Sequence, residues 1–276
     1  MSSGLPRAGA SAALPFKVEH FVESVELLDF ARVNGCQVLD ERTFALAAGN
    51  RTGSLVIKHL AELGCPWCQD MFHKAVMKGN LEVLRFLRET LGYTWDAYES
   101  TKAFTLTALA ARGGHIEVIQ YLREQGVGWG KWTCVNAASG GHVDTLIWLR
   151  ASGCPWETDP GFELNGGVAM SAGWAAENGH TDVLTWLQAN GNGWDSWTPA
   201  YAAKGGQLET LKWLLARGCP YDEWVCAYAA HNSNIEVLEY ARDEVGIECG
   251  ELTKTFICGL HMGLYASRAQ PHIAKE

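Results

Sequence analysis

The chain has 276 residues, and its 22 lysines and arginines against 31 aspartates and glutamates give a formal net charge of −9. This acidic balance argues against a nucleic-acid-binding protein, because duplex binding depends on basic side chains that neutralise phosphates, and it equally disfavours an anionic membrane surface. Hydrophobic residues make up 47% of the chain, which predicts a sizeable core and excludes a disordered protein.

The first elements are a tail and a helix. Residues 1–18 are rich in serine, glycine, alanine and proline, and we expect them to be disordered. They lack the apolar run of a secretory signal. The longest uncharged, mainly apolar stretch, residues 103–111, is shorter than the roughly 20 residues of a membrane-spanning helix. We therefore expect a soluble protein of the cytoplasm or nucleus. The pattern of residues 22–34 predicts an N-terminal helix with its charges on the outer face.

An internal repeat then runs through most of the chain. Each copy has apolar residues at helical spacing, such as Val118, Ile119, Tyr121 and Leu122. Each copy ends in a glycine that we expect to cap this helix in the left-handed conformation. These closing glycines lie at positions 35, 64, 92, 126, 153, 191, 218 and 246, a base period of about 27 residues. A shorter helix precedes the capped one and contains an alanine pair, at 47–48, 110–111, 137–138, 175–176, 202–203 and 229–230. Two short helices cannot bury their apolar faces alone, so the pattern predicts an all-α fold, an α-solenoid of stacked helix-turn-helix repeats.

The order of these elements resembles the ankyrin repeat. Ala110-Ala111 is followed by Gly114-His115, by Glu117-Val118-Ile119-x-x-Leu122 and by the closing Gly126. The chain departs from the family in its short Gly-Cys-Pro-Trp loops and in the replacement of Thr-Pro-Leu-His by tetrapeptides that begin with tryptophan. It is similar in this to the short ankyrin arrays of protists and large DNA viruses. The resemblance implies seven or eight repeats, including helical caps, over residues 19–258, followed by a C-terminal tail at 259–276. It also implies that His115, His142 and His180 bridge adjacent repeats; as an alternative, such histidines stabilise the turn by capping the helix that follows.

Two repeats contain insertions. The shorter one, near residues 96–102, is acidic. The longer one, residues 157–171, contains the turn signals Asp159-Pro160-Gly161 and Asn165-Gly166-Gly167. Hydrophobic residues alternate around the second signal as in a short hairpin, at Phe162, Leu164, Val168 and Met170. We expect either a protruding finger that binds a partner or a tolerated surface insertion without a role.

The cysteines and histidines contain one motif that suggests chemistry, Cys65-Pro66-Trp67-Cys68. A C-x-x-C motif is typical of thioredoxin-like redox proteins. Cys-Pro-aromatic recurs at 154–156 and 219–221 without a second cysteine, which favours a structural role for Cys65. Cysteines in this slot of stacked helices, about 8–10 Å apart, are too distant for disulfides and should stay reduced. His73 stands alone where zinc would need four ligands. Neither a catalytic set nor a complete phosphate-binding loop is present, so we expect a non-enzymatic protein without a metal or cofactor.

Tryptophan is unusually abundant, with twelve copies in three positional classes. We expect Trp148, Trp186 and Trp213, on the second helices, to lie in the core. The loop residues Trp67, Trp129, Trp156 and Trp194 are expected to cover the gaps between repeats. Three tryptophans begin first helices beside the shortened finger, the edge that contacts partners in ankyrin proteins: Trp132, Trp197 and Trp224. Because tryptophan is enriched in interface hot spots, we expect partner binding at these three residues and at Phe162 and Leu164.

The function that these patterns favour is a monomeric, non-enzymatic scaffold that binds a partner protein. A rigid concave face and its loop edge would lose little conformational entropy on binding. The acidic balance predicts a basic or neutral partner surface and a salt-sensitive association rate. Two alternatives stay open: a redox protein that uses Cys65 and Cys68, and a structural or orphan repeat array without a retained partner.

Overall fold

The computed structural model describes residues 24–33, 40–49, 53–66, 69–92, 106–156, 170–248, 250 and 253–254. Its regular elements in these ranges are helical, which confirms the predicted all-α class. They are α1 Val25–Val33, α2 Glu41–Ala48, α3 Gly53–Glu62, α4 Gln69–Lys78, α5 Leu81–Glu89, α6 Leu106–Arg112, α7 Ile116–Glu124, α8 Lys131–Ser139, α9 Val143–Ala151, α10 Met170–Glu177, α11 Thr181–Ala189, α12 Trp197–Lys204, α13 Leu208–Ala216, α14 Trp224–His231, α15 Ile235–Glu239 and a π-helical turn at Tyr240–Glu244. Within those residues, no helix has the length and apolar character that a membrane crossing requires.

The chain folds into two compact units. The first comprises residues 1–101 and 117–127, and the second comprises residues 102–116 and 128–276. In the first unit, α2 packs against α3 and α4, and α3 packs against α1 and α5. Leu28, Phe44, Ile57, Phe72 and Leu84 are fully buried and form the centre of its core.

The second unit stacks helix pairs in two layers. The first helices lie side by side in the order α6, α8, α10, α12 and α14. The second helices α9, α11, α13 and α15 form the other layer, in which neighbours approach one another less closely. The first helices are therefore the more tightly spaced of the two layers. The observed helix pairs confirm the predicted α-solenoid architecture.

The alanine pairs explain how the first helices come so close. All six pairs that the sequence singled out are buried, from Ala47-Ala48 to Ala229-Ala230. An alanine side chain ends at Cβ, so the backbones of neighbouring helices can approach one another without a gap between them. Larger residues at these positions would force the repeats apart, since protein interiors have no free volume to absorb them.

The closing glycines end the second helices as predicted. Gly153 has a φ of 76°, in the left-handed region that favours glycine. Its amide donates to the carbonyl of Arg150 at 3.1 Å, and the amide of Cys154 donates to the carbonyl of Leu149 at 3.0 Å. These two bonds satisfy the last free carbonyls of α9 in a Schellman motif. The closing glycines at 64, 92, 126, 191, 218 and 246 also have positive φ, whereas Gly35 lies outside the described residues.

The turn after each first helix touches the preceding repeat through its main chain. A Cβ atom added at Gly205 would lie 2.7 Å from the carbonyl carbon of Glu177, and Gly140 is similarly close to the repeat before it. Asn232 occupies the equivalent place in the next repeat, where its Nδ2 donates to the carbonyl of Lys204 at 2.8 Å. Gly140 and Gly205 leave this turn position without a side chain, and Asn232 occupies it by donating to the facing carbonyl.

The predicted histidine slot joins adjacent repeats. His142 and His180 are N-cap residues, but neither side chain caps its own helix, so the capping alternative is wrong for these two. The His142 ring instead lies against Gly114 and Gly140 and bonds the backbone of Arg112. Burial lowers the pKa of His142, and the bond to Arg112 opposes this shift.

Candidate protein-interaction surface

The first helices α8, α10, α12 and α14 of the second unit carry aromatic residues at their start, one helical turn later, or at both places. Positions four residues apart lie on one face of a helix. The residues between them, such as Thr198, Pro199 and Ala200, are buried, whereas the aromatic residues are partly exposed. We call this set the aromatic row. It consists of Trp132 on α8, Trp174 on α10, Trp197 and Tyr201 on α12, and Trp224 and Tyr228 on α14.

The rings of the aromatic row contact one another between repeats. Trp197 and Trp224 have ring centroids 5.3 Å apart and planes inclined by 32°. Tyr228 lies 5.7 Å from Trp224 and 6.1 Å from Tyr201, centroid to centroid. Trp132 and Trp174 form a separate pair at 5.7 Å. Aromatic pairs at such distances contribute about 0.5–1.5 kcal/mol beyond their buried area, so these contacts hold the rings in place before any partner arrives.

The backbone of α10 is shaped to receive one of these rings. Gly173 lies in the helix interior, where glycine costs roughly 1 kcal/mol relative to alanine. A Cβ atom at this position would lie 2.8 Å from Cδ2 of Tyr201. Burial raises the pKa of the Tyr201 phenol, and the neighbouring Tyr228 adds to this shift. Helix α10 therefore has a glycine at the position where the Tyr201 ring of the adjacent repeat packs against it.

Carboxylates fix the tryptophans at the helix N-termini. Asp195 Oδ1 accepts hydrogen bonds from the amides of Trp197 at 3.1 Å and Thr198 at 3.2 Å. Asp222 Oδ1 accepts from the amide of Trp224 at 3.0 Å. Negative charge is favourable at a helix N-terminus, where amide groups lack partners within the helix. These bonds place acidic groups beside the backbone amides of Trp197 and Trp224.

The tryptophans predicted to begin first helices, Trp132, Trp197 and Trp224, are all partly exposed. Sequence reasoning missed Trp174, Tyr201 and Tyr228 in the aromatic row. A usable signal was present, because each of these three directly precedes an alanine pair. Each missed residue is the fifth of its helix, one turn after the first residue.

The longer insertion lies almost entirely outside the described residues. Phe162, Leu164 and Val168 are not among them, so the proposed finger stays a prediction. Met170 was expected to belong to the hairpin, but it begins α10. The alternation of hydrophobic residues suggested a strand up to Met170. The segment Met170–Glu177 is instead a helix, in which Ala175 and Ala176 are buried.

The other described tryptophans form pairs of a loop residue and a second-helix residue. The second-helix residues Trp148, Trp186 and Trp213 are partly exposed, so their prediction as core residues is wrong. Each lies edge-to-face with a loop tryptophan, in the pairs Trp129–Trp148, Trp156–Trp186 and Trp194–Trp213, at centroid distances of 6.0, 6.2 and 5.6 Å. Among the loop partners Trp156 is fully buried. Each second-helix ring thus contacts a loop ring and stays partly exposed.

The cysteine slot has the environment of a structural thiol. Cys65 is buried, and its Sγ donates to the carbonyl of Asp40 at 3.3 Å. Burial raises the pKa of Cys65 to about 11 and that of Cys219 to about 12, and the nearby Asp40 and Asp195 carboxylates add to this. Because the thiolate is the reactive form, both shifts disfavour nucleophilic or redox chemistry. Cys68 lies outside the described residues.

Within the part of the chain that the structure describes, no three His, Cys, Asp or Glu side chains are grouped so as to hold a metal ion. The cysteines described there, at 65, 134, 154, 219 and 226, are thiols and not disulfides.

Comparisons with known proteins give one kind of match. No protein-family model matches the chain, and no curated protein matches it. Among solved structures, the chain is similar to the crystal structure of the human ASB11 ankyrin repeat domain, at 18% sequence identity and a TM-score of 0.42. The match covers 67% of this chain and 96% of that one. The repeat architecture stated above rests on the helix pairs, the capped helix ends and the stacked first helices of this chain itself.

Proposed function

We propose that the protein is a non-enzymatic scaffold that binds a partner protein along the aromatic row. The observation that carries this proposal is the set of six aromatic side chains that stay partly exposed on the first-helix layer, which we propose as the concave binding face. Large aromatic side chains on a protein surface are typical of interface hot spots. The loop edge beside Trp197 and Trp224 belongs to the same proposed surface.

Preorganisation is the proposed source of affinity. The rings of Trp197, Trp224 and Tyr228 already contact one another, and their helices are held by buried alanine pairs. Binding would therefore cost little side-chain and backbone entropy, a cost that otherwise reaches about 0.5–1.5 kcal/mol for each immobilised side chain. A few rings would then supply most of the binding free energy.

The experiment compares captured proteins and then affinities. Wild-type protein, the variant Trp197→Ala/Trp224→Ala and the control Trp213→Ala are immobilised and exposed to extract of the source cell. We expect a partner that the wild type and the control retain and the double variant loses. With that partner purified, truncation of two hot-spot rings should weaken binding at least thirtyfold, since one such residue contributes about 2 kcal/mol or more.

Circular dichroism and thermal unfolding must show that both variants stay folded. A partner that binds the double variant as tightly as the wild type would overturn the proposed surface. If neither sample retains a specific partner, the orphan-array alternative is favoured instead. The raised thiol pKa values of Cys65 and Cys219 speak against the redox alternative.

The proposal also includes the bounds of the repeat array, its oligomeric state and its compartment. We propose that the repeat array spans residues 19–258, with tails at 1–18 and 259–276, and acts as a monomer in the cytoplasm or nucleus. Sedimentation of the full chain tests the oligomeric state, and limited proteolysis tests the boundaries. Cleavage confined to the two tails and the insertions would agree with them, whereas early cleavage inside helix pairs would not.

A further inference from the structure

The Trp197–Trp224 pair lies in a strongly acidic part of the chain. Asp222 and Glu223 directly precede Trp224, and Asp195 lies two residues before Trp197. No lysine or arginine occurs in residues 190–203 or 218–241. No lysine or arginine in these segments balances the carboxylates of Asp195, Asp222 and Glu223, which lie next to the two tryptophans in the sequence.

Several other aromatic rings of the second unit are covered by cations of the chain itself. The arginine Cζ or the lysine Nζ lies 4.0–5.3 Å from the ring centroid in the pairs Arg217–Trp213, Arg150–Trp156 and Lys212–Tyr240. Among the residues that the structure describes, no lysine or arginine lies in this way over Trp197 or Trp224. A cation over an aromatic ring is attracted by the negative face of the ring, and this pair leaves that interaction to another molecule.

The aromatic row itself shows the arrangement that such a cation would adopt. Lys204 Nζ lies 5.4 Å from the ring centroid of Tyr201 and 2.9 Å from Oε1 of Glu177. The ammonium group thus contacts a ring of the row and a carboxylate at once. Asp222 likewise lies beside Trp224, where its Oδ1 accepts the Trp224 amide at 3.0 Å, and no lysine or arginine among the described residues lies over the Trp224 ring.

We propose that the Trp197–Trp224 pair, together with Asp222 and Glu223, binds an arginine-containing peptide segment of the partner protein. The proposal rests on the proposed function and specifies its partner. Arginine is favoured over lysine because its planar guanidinium group stacks on aromatic rings and forms two parallel hydrogen bonds with a carboxylate. An exposed arginine segment also complements the net charge of −9, which accelerates association at low salt.

The test uses fluorescein-labelled octa-arginine as the probe, with octa-lysine for comparison, and measures fluorescence anisotropy against the full chain. The variants are Trp197→Ala/Trp224→Ala and Asp222→Asn/Glu223→Gln. Asparagine can keep the hydrogen bond to the Trp224 amide, so the second variant removes charge rather than the helix cap. The control Glu236→Gln/Glu239→Gln removes the same charge from α15, away from the aromatic row.

We expect octa-arginine to bind the wild type at least threefold more tightly than octa-lysine. Each row variant should weaken this binding at least fivefold, and the α15 control should change it less than twofold. The Asp222/Glu223 variant should also show a smaller dependence of affinity on salt concentration. Equal weakening by the control, or binding that does not depend on the tryptophans, would overturn the proposal, because either would indicate general attraction to an acidic protein.

Failure here is distinguishable from failure of the proposed function. If an identified partner depends on Trp197 and Trp224 while octa-arginine does not bind, the aromatic row binds a partner that is not recognised through arginine. If the partner does not depend on these rings at all, the scaffold proposal itself is wrong.

Discussion

The close approach of neighbouring repeats is testable through a single methyl group, in the variant Gly205→Ala. The added Cβ would lie 2.7 Å from the carbonyl carbon of Glu177 and 3.0 Å from its Cα, whereas ordinary contact begins near 3.4 Å. The turn after α12 must therefore move by about 0.7 Å or more away from the preceding repeat. Since the obstruction is backbone, it cannot rotate away as a flexible side chain would.

We expect this variant to lose about 1–3 kcal/mol of unfolding free energy, the range for overpacked interiors. At roughly 2–4 °C per kcal/mol for a chain of this size, thermal unfolding should shift downward by roughly 2–12 °C. The matched control is Gly193→Ala, where an added Cβ meets no atom within 4 Å. Both changes reduce the entropy of the unfolded chain equally, so their difference isolates the clash.

Thermal and urea unfolding of the two variants, followed by circular dichroism, provide the measurement. If Gly205→Ala unfolds at the same temperature as Gly193→Ala, the contact between the turn and the preceding repeat is not as described. That result would refute the close approach of neighbouring first helices.

Three further predictions concern the joins between repeats and the thiols. Burial lowers the pKa of His142 below its value in the unfolded chain, so the unfolded state binds the proton more readily. The free energy of unfolding should therefore fall as the pH drops through about 6.5. The variant His142→Gln should show a smaller decrease in the urea midpoint between pH 7.5 and pH 5.5. An equal fall in both proteins would contradict this account. Asn234 Nδ2 donates to the carbonyls of Ala203 at 2.8 Å and Lys204 at 2.9 Å, so Asn234→Ala should cost about 1–3 kcal/mol in urea unfolding; a loss below 0.5 kcal/mol would show that the bonds do not join the repeats. Cys65 and Cys219 should resist iodoacetamide at pH 8 in the folded protein and react in urea, as mapped by mass spectrometry, because their raised pKa values keep them protonated; rapid labelling of either in the native state would contradict a buried structural thiol.

Much of the fold could be predicted because the alanine pairs and the closing glycines recur many times along the chain. The positive φ of Gly153 and the burial of the alanine pairs follow from local rules of helix capping and from the spacing of small residues. Bridging by His142 was implied by the resemblance to ankyrin proteins. The orientation of its ring toward the preceding repeat depends on the facing glycines Gly114 and Gly140, which only the stack brings together.

The surface was less predictable, since exposure depends on neighbouring repeats. Trp213 lies on a second helix and Trp224 begins a first helix, and the sequence alone suggested core for the first residue and surface for the second. The structure leaves both partly exposed. The pairing of Trp213 with Trp194 across a loop, and of Trp224 with Trp197 across a helix interface, involves residues 19 and 27 positions apart whose ring orientations no periodicity specifies. Gly173 is similar, because its purpose becomes evident only when Tyr201 is placed beside it.

The central claim, that the aromatic row is a binding surface, is tested most directly by site-specific photocrosslinking. Benzoylphenylalanine replaces Tyr228, in the row, or Tyr240, which begins the π-helical turn after α15, in protein that is otherwise unchanged. On irradiation in extract of the source cell, we predict a discrete crosslinked partner from position 228 and none from position 240. A partner crosslinked from position 240 alone would contradict the claim, since it would place the binding surface away from the aromatic row.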